Sequence, residues 1–144
     1  MLRPMTLADV DDVLAVASEL ADKAYPIMKK DPLKMRIIAN EIAGNPRHFG
    51  WVDEDECGNI RAILAAYTGD NAWAQRKYAN VYVWWSDKPG RGFALLRKFA
   101  EWVTSRRAIK VAGFASDTDL PYATRALIQF AGFERHGGSY LLYN

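Results

Sequence analysis

The 144-residue chain predicts one domain, residues 1–144, of mixed α/β class (α+β type). The expected core is a mostly antiparallel sheet of about six to seven strands, flanked by about four helices. Three observations carry this reading. Short β-branched and aromatic runs alternate with amphipathic helical runs in the order β-α-α-β-β-β-α-β-α-β-β. A polar turn containing Gly58-Asn59 joins two of the strand runs, which argues for an antiparallel hairpin. One strong helix separates the strand at Val81 from the strand at Ile109, so those two strands are expected parallel and adjacent or nearly so.

Met1 to Met5 reads as an edge strand, because Pro4 cannot donate to a ladder. Thr6 is an N-cap with Asp9 three residues on, a partial capping box. Val10, Val13, Leu14, Ala17, Leu20 and Ala21 then predict a helix to about Lys23, ended by Tyr25-Pro26. Asp31-Pro32 reads as N-cap and first residue of a second helix that stops at Gly44-Asn45-Pro46. Phe49 to Val52 and Ile60 to Thr68 are strands around the turn Asp53 to Asn59. Gly69 to Arg76 reads as a loop, and the strand through Val81 to Trp85 follows it. The central helix carries Leu95, Leu96, Phe99, Trp102 and Val103 on one face. Ile109 to Ala115 is small and apolar, expected buried on both faces. Pro121 opens a helix to Phe130, and Gly132 ends it. Phe133 to Arg135 and Ser139 to Tyr143 form a last hairpin around His136-Gly137-Gly138.

Lys and Arg number 19 against 17 Asp and Glu, so charge alone does not argue for nucleic acid or a membrane surface. The one cysteine, Cys57, excludes an intramolecular disulfide and suits a reducing cytoplasm; it reads as an exposed turn residue. No apolar stretch is long enough to span a bilayer. Nothing suggests a metal site, and homodimerisation is left open.

Function concentrates in Val81 to Arg107. A strand leads into Ser86-Asp87-Lys88-Pro89-Gly90, then Gly92, then a helix. A helix N-terminus offers unpaired N–H groups and partial positive charge. Glycines permit close approach, and Lys88 and Arg91 add cations. The pattern is neither a P-loop nor a dinucleotide fingerprint. Anion binding and a plain tight turn both remain open on these residues alone.

With these motifs in order, the chain resembles the GNAT superfamily of N-acetyltransferases over nearly its whole length. The family carries Arg/Gln-x-x-Gly-x-Gly/Ala before its central helix, matched by Asp87-Lys88-Pro89-Gly90-Arg91-Gly92 and followed by Ala94-Leu95-Leu96. Its short helix before Gly-Phe is matched by Ala126 through Phe133. The resemblance implies acetyl-CoA as cosubstrate, an amine acceptor, and cofactor contacts from Val83, Trp84, Lys88, Pro89, Gly90, Arg91, Gly92 and Phe93. It implies that backbone N–H groups near Val83 and Trp84 polarise the thioester carbonyl, where the strand bulges or splays. Two departures stand out. Asp87 occupies the family's Arg/Gln position, unless the loop is one residue shorter and Lys88 takes that place. Ile128 occupies the position of the tyrosine that protonates the leaving thiolate in many members, and Pro121 that of an asparagine. A CoA-binding module without catalysis is therefore the alternative function.

Acyl transfer to an amine needs a base, an oxyanion site and, for the thiolate, an acid. Tyr122, at the start of the last helix, is the first candidate acid, with Tyr140 and Tyr143 behind it. Asp117 and His136 are candidate bases; each equally suits a turn. Trp73, Trp84 and Trp85 surround the site in sequence, and alternation puts at most one of Trp84 and Trp85 in the pocket. Acceptor choice is expected to lie in the loops Lys23 to Asp31, Gly69 to Tyr78 and His136 to Ser139.

Overall fold

The computed structural model describes residues 1–24, 27, 29–70, 76–115 and 120–144. Their elements run β1 (Leu2–Pro4), α1 (Val10–Ala24), α2 (Pro32–Ile42), β2 (Phe49–Glu54), β3 (Ile60–Asp70), β4 (Lys77–Ser86), α3 (Phe93–Thr104), β5 (Ile109–Ala115), α4 (Tyr122–Phe130), β6 (Glu134–His136) and β7 (Ser139–Tyr143). All seven strands form one sheet in the order β1-β2-β3-β4-β5-β7-β6. The pairing is antiparallel except for β4 with β5, which the α3 crossover makes parallel.

The helix starts follow the local chemistry. The Asp31 carboxylate accepts from the Lys34 N–H at 3.1 Å with Pro32 behind it. At the first start, the Asp9 carboxylate accepts from the Thr6 N–H at 2.7 Å and from its hydroxyl at 2.9 Å. A 3-10 turn, Leu7–Asp9, precedes α1. Asp9 is buried and receives both Arg3 Nη atoms at 2.8 Å each, tying the helix start to β1.

Two apolar layers sandwich the sheet. On one face α3 and α4 bury Leu95, Leu96, Phe99, Val103 and Ile128 against Phe49, Leu64, Ala79 and Phe114. On the other, α1 and α2 bury Val10, Val13, Ala39 and Ile42 against Val52, Ile63, Ala65 and Val83. Gly50 lets Ile42 down onto the sheet, since a Cβ there would meet the Ile42 Cγ2 at 2.7 Å.

Two expectations are corrected. β3 runs on to Asp70 and β4 begins at Lys77, so Gly69 and Asp70 extend the hairpin instead of opening a loop. Ladder bonds from Gly69 and Asp70 to Tyr78 and Lys77 outweigh the turn preference of those residues. β5 is buried on both faces along Ala112, Gly113 and Phe114 but not at Lys110 and Val111, which are only half-covered.

Candidate functional site

β4 is where the sheet opens. Its parallel ladder with β5 stops at Asn80 opposite Gly113. Beyond that point β4 stays with β3, whereas β5 continues as a pair with β7 through Phe114 and Ala115. The parting coincides with a bulge. Ala66 faces Val81 and Ala65 faces Val83, leaving Tyr82 as the extra residue. Ala79, Val81 and Trp84 accordingly pack on the α3 face, while Tyr82 and Val83 both turn to the α1/α2 face. The Tyr82 hydroxyl is buried with no partner among the described residues, and burial raises its pKa, which keeps it protonated.

At the carboxyl end of β4 lies an open groove of about 190 Å³. It is lined from β4 by Trp84, Trp85 and Ser86, from the loop by Pro89, Gly90 and Gly92, from α3 by Phe93, and from α4 by Thr124 and Leu127. Trp84 packs edge-on to Phe114 at 5.3 Å, bridging the parted strands on the α3 side. Phe114 in turn stacks on Tyr140 at 5.3 Å. The expectation that only one of Trp84 and Trp85 reaches the pocket is corrected. The two do pack on opposite faces, but the groove wraps the strand end and touches both.

The loop is built for close approach. Gly90 has φ +85°, a left-handed conformation suited to glycine, and a Cβ there would point into open space. Arg91 N–H donates to the Lys88 carbonyl at 3.3 Å and Phe93 N–H to the Gly90 carbonyl at 3.2 Å. α3 then begins with no side-chain cap. The N–H groups of Ala94 and Leu95 find no acceptor among the described residues, as expected of an uncapped first turn. The Asp87 carboxylate is compensated by Arg61 at 3.5 Å and Arg91 at 3.4 Å, and the Asp87 N–H continues the β3 ladder to the Arg61 carbonyl. Lys88 is exposed and its ammonium has no partner among the described residues. Free donors, one cation without a partner among the described residues and a glycine with open space fit a pyrophosphate, with Asp87 held between Arg61 and Arg91.

The remaining candidates are placed unevenly. Tyr122 is 80% exposed. At roughly 100° per residue it lies about 160° around α4 from Thr124 and about 140° from Leu127, so it turns away from the groove. The helix phase gives the groove flank to Thr124 and Leu127. Ile128 is 1% exposed and packs in the α3-side core, where the Phe133 N–H reaches its carbonyl at 3.4 Å. Tyr140 is buried in the aromatic row with Phe114 and Trp84. Tyr143 pairs with Val111, at the far end of β5 from the groove. His136 sits on the outermost strand opposite Ser139, 3.4 Å from the Glu134 carboxylate. The order β4-β5-β7-β6 leaves two strands between it and β4. Asp117 and Trp73 lie outside the described residues. Sequence reasoning missed Thr124, Leu127 and Arg61. The first two carried a signal in the helical phase of α4; Arg61 had none, being 26 residues from Asp87.

No protein-family model matches the chain, and no curated protein sequence does. Solved structures do. A ribosomal-protein-alanine N-acetyltransferase from Brucella melitensis superposes with TM-score 0.71 at 17% identity, covering 100% of this chain and 99% of that one. A GNAT-family acetyltransferase from Streptococcus pneumoniae gives 0.69 at 15% identity, covering 98% and 95%. A chimeric spermidine N-acetyltransferase from Vibrio cholerae and hSSAT gives 0.64 at 15% identity, covering 99% and 96%. The seven-stranded sheet with its four helices is therefore the GNAT acetyltransferase fold.

Proposed function

We propose that this protein is an acetyl-CoA-dependent N-acetyltransferase acting on an amine. The observation that carries the proposal is the uncapped N-terminus of α3, whose loop glycines Gly90 and Gly92 line a groove at the parted end of β4. Acetyl-CoA supplies the activated acetyl thioester. In this reading, the N–H groups of Gly90, Gly92, Ala94 and Leu95, which find no acceptor among the described residues, and the Lys88 ammonium hold the pyrophosphate. Pro89, Arg91 and Phe93 shape the loop, with Arg91 held against Asp87. The bulge at Tyr82 frees backbone N–H groups near Val83 and Trp84 from β5, as donors for a carbonyl that gains negative charge. Tyr140 becomes the first candidate acid, joined through Phe114 to groove-lining Trp84. Asp117 and His136 stand as proposals for the base, with solvent as the third route for the proton.

Acceptors named for similar structures include a ribosomal-protein alanine, spermidine and an aminoglycoside. A fold shared across such acceptors supports amines as a class and selects none of them. The second reading, a non-catalytic CoA-binding module, is favoured by one observation, Ile128 in the core where many relatives carry a tyrosine. Calorimetric titration with acetyl-CoA beside CoA release from a panel of amines separates the two. Binding with release supports the enzyme; binding without release on any amine supports the module; no binding overturns both.

A further inference from the structure

α4 carries an apolar flank that the core does not use. Ile128 faces inward, yet Leu127 and Phe130 are 37% and 79% exposed. At roughly 100° per residue Ala123, Leu127 and Phe130 fall within about 60° of one another, Leu127 about 60° and Phe130 about 120° around the helix from groove-lining Thr124. Phe93 approaches this flank from α3, its ring 6.5 Å from that of Phe130 and inclined at 45°. Phe93 and Leu127 both line the groove. The groove therefore has two ends of different character. The inner end, at Trp84 and Trp85, meets the parted strands. The outer end, at Phe93 and Leu127, adjoins the exposed ring of Phe130, which lies just beyond the groove lining.

Between these ends lie Gly90 and Gly92, whose N–H groups find no acceptor among the described residues, with Lys88 just before them in the loop. An exposed ring beside an anion-binding turn is the chemistry that takes a nucleotide, phosphates on the donors and the base on the ring. A plain apolar docking patch would not need the donors. A phosphate site alone would not need a ring that stays in water on the helix surface.

We infer that Phe130, backed by Phe93 and Leu127, is a stacking platform for the purine at the nucleotide end of CoA. This rests on the acetyl-CoA reading and adds the residues that grip the half of the molecule far from the thioester. Stacking on an aromatic face needs no hydrogen-bond code, which suits a flank whose neighbours Ala123 and Leu127 offer no side-chain polar atoms.

The test is calorimetry with two ligands, CoA and 4′-phosphopantetheine, the latter read by competition against CoA. Phe130→Ala removes an exposed ring, so the fold should survive, checked by an unchanged melting temperature. The expected result is CoA binding weakened roughly tenfold, with 4′-phosphopantetheine unchanged and Phe130→Trp binding CoA at least as well as wild type. Undiminished CoA affinity in Phe130→Ala, or an equal loss for both ligands, overturns the platform while leaving the acetyl-CoA reading intact. Failure of the wild type to bind CoA overturns that reading as well.

Discussion

The Trp84 indole Nε1 donates to the Gly92 carbonyl at 3.0 Å. The same nitrogen lies 2.7 Å from where a Cβ on Gly92 would stand. Gly92 has φ −68°, which any residue adopts, so its small size is set by Trp84 and not by backbone conformation. The bond pins the first turn of α3 to the end of β4 and so fixes where the loop donors point.

Gly92→Ala should therefore destabilise the fold as well as weaken acetyl-CoA binding, by about 1–3 kcal/mol of overpacking. Gly92→Glu should be worse, adding a carboxylate beside the donors. Trp84→Phe removes Nε1 and should shrink the alanine penalty. A double-mutant cycle on melting curves is expected to show coupling of at least about 0.5 kcal/mol. Strict additivity would mean that the two residues do not share this contact.

Much of this fold was legible because local chemistry and tertiary demand agree. Thr6 with Asp9, and Asp31 with Pro32, start their helices where their side chains allow. The β4–α3–β5 crossover followed from handedness. The bulge could not be placed. Val81 to Trp85 is an unbroken apolar and aromatic run with a face buried on either side, so slipping one residue swaps no polar group into a core. The groove's occupants were half visible. The loop glycines announce themselves, whereas Thr124 against Tyr122 is a question of helix phase, and the compensation of Asp87 depends on Arg61 from a neighbouring strand.

Lys88→Ala should weaken acetyl-CoA binding modestly, and by more at low salt than at high. The ammonium is exposed and unpaired among the described residues, so it acts as a screened point charge. Arg91→Ala should act differently. It leaves Asp87 with Arg61 alone, and its loss should be partly relieved by Asp87→Asn. Titrations at two ionic strengths check both. A Lys88→Ala effect independent of salt would remove the pyrophosphate role.

Acid should loosen the N-terminal clasp. Hydrogen bonds from Arg3, and then from Thr6, pull the Asp9 carboxyl down to about 2 from 3.8 despite its burial. A depressed folded-state pKa contributes stability that is complete above pH about 4 and is lost as pH falls through about 2. The shift corresponds to about 2 kcal/mol. Urea midpoints of wild type should fall between pH about 4 and 2 more steeply than those of Asp9→Asn, which lacks the titration. Parallel curves would show that the Arg3–Asp9 pair is energetically silent.

The leaving thiolate can take its proton from a side chain or from solvent. Tyr122 is exposed and turned from the groove, so Tyr122→Phe should leave turnover unchanged. Ile128→Tyr is no simple restoration of the family residue. Its side chain fills a site that is 1% exposed, and a larger ring there should cost about 1–3 kcal/mol of stability. Tyr140 is the tyrosine tied to the groove, by stacking on Phe114 and through it to Trp84. Tyr140→Phe keeps the ring contact with Phe114 and removes the hydroxyl. If Tyr140 is the acid, that change should lower turnover roughly 10²–10⁴-fold while acetyl-CoA affinity and melting temperature stay near wild type. Full activity in Tyr140→Phe would leave solvent as the donor, a route a thiolate permits because it departs readily without a dedicated acid.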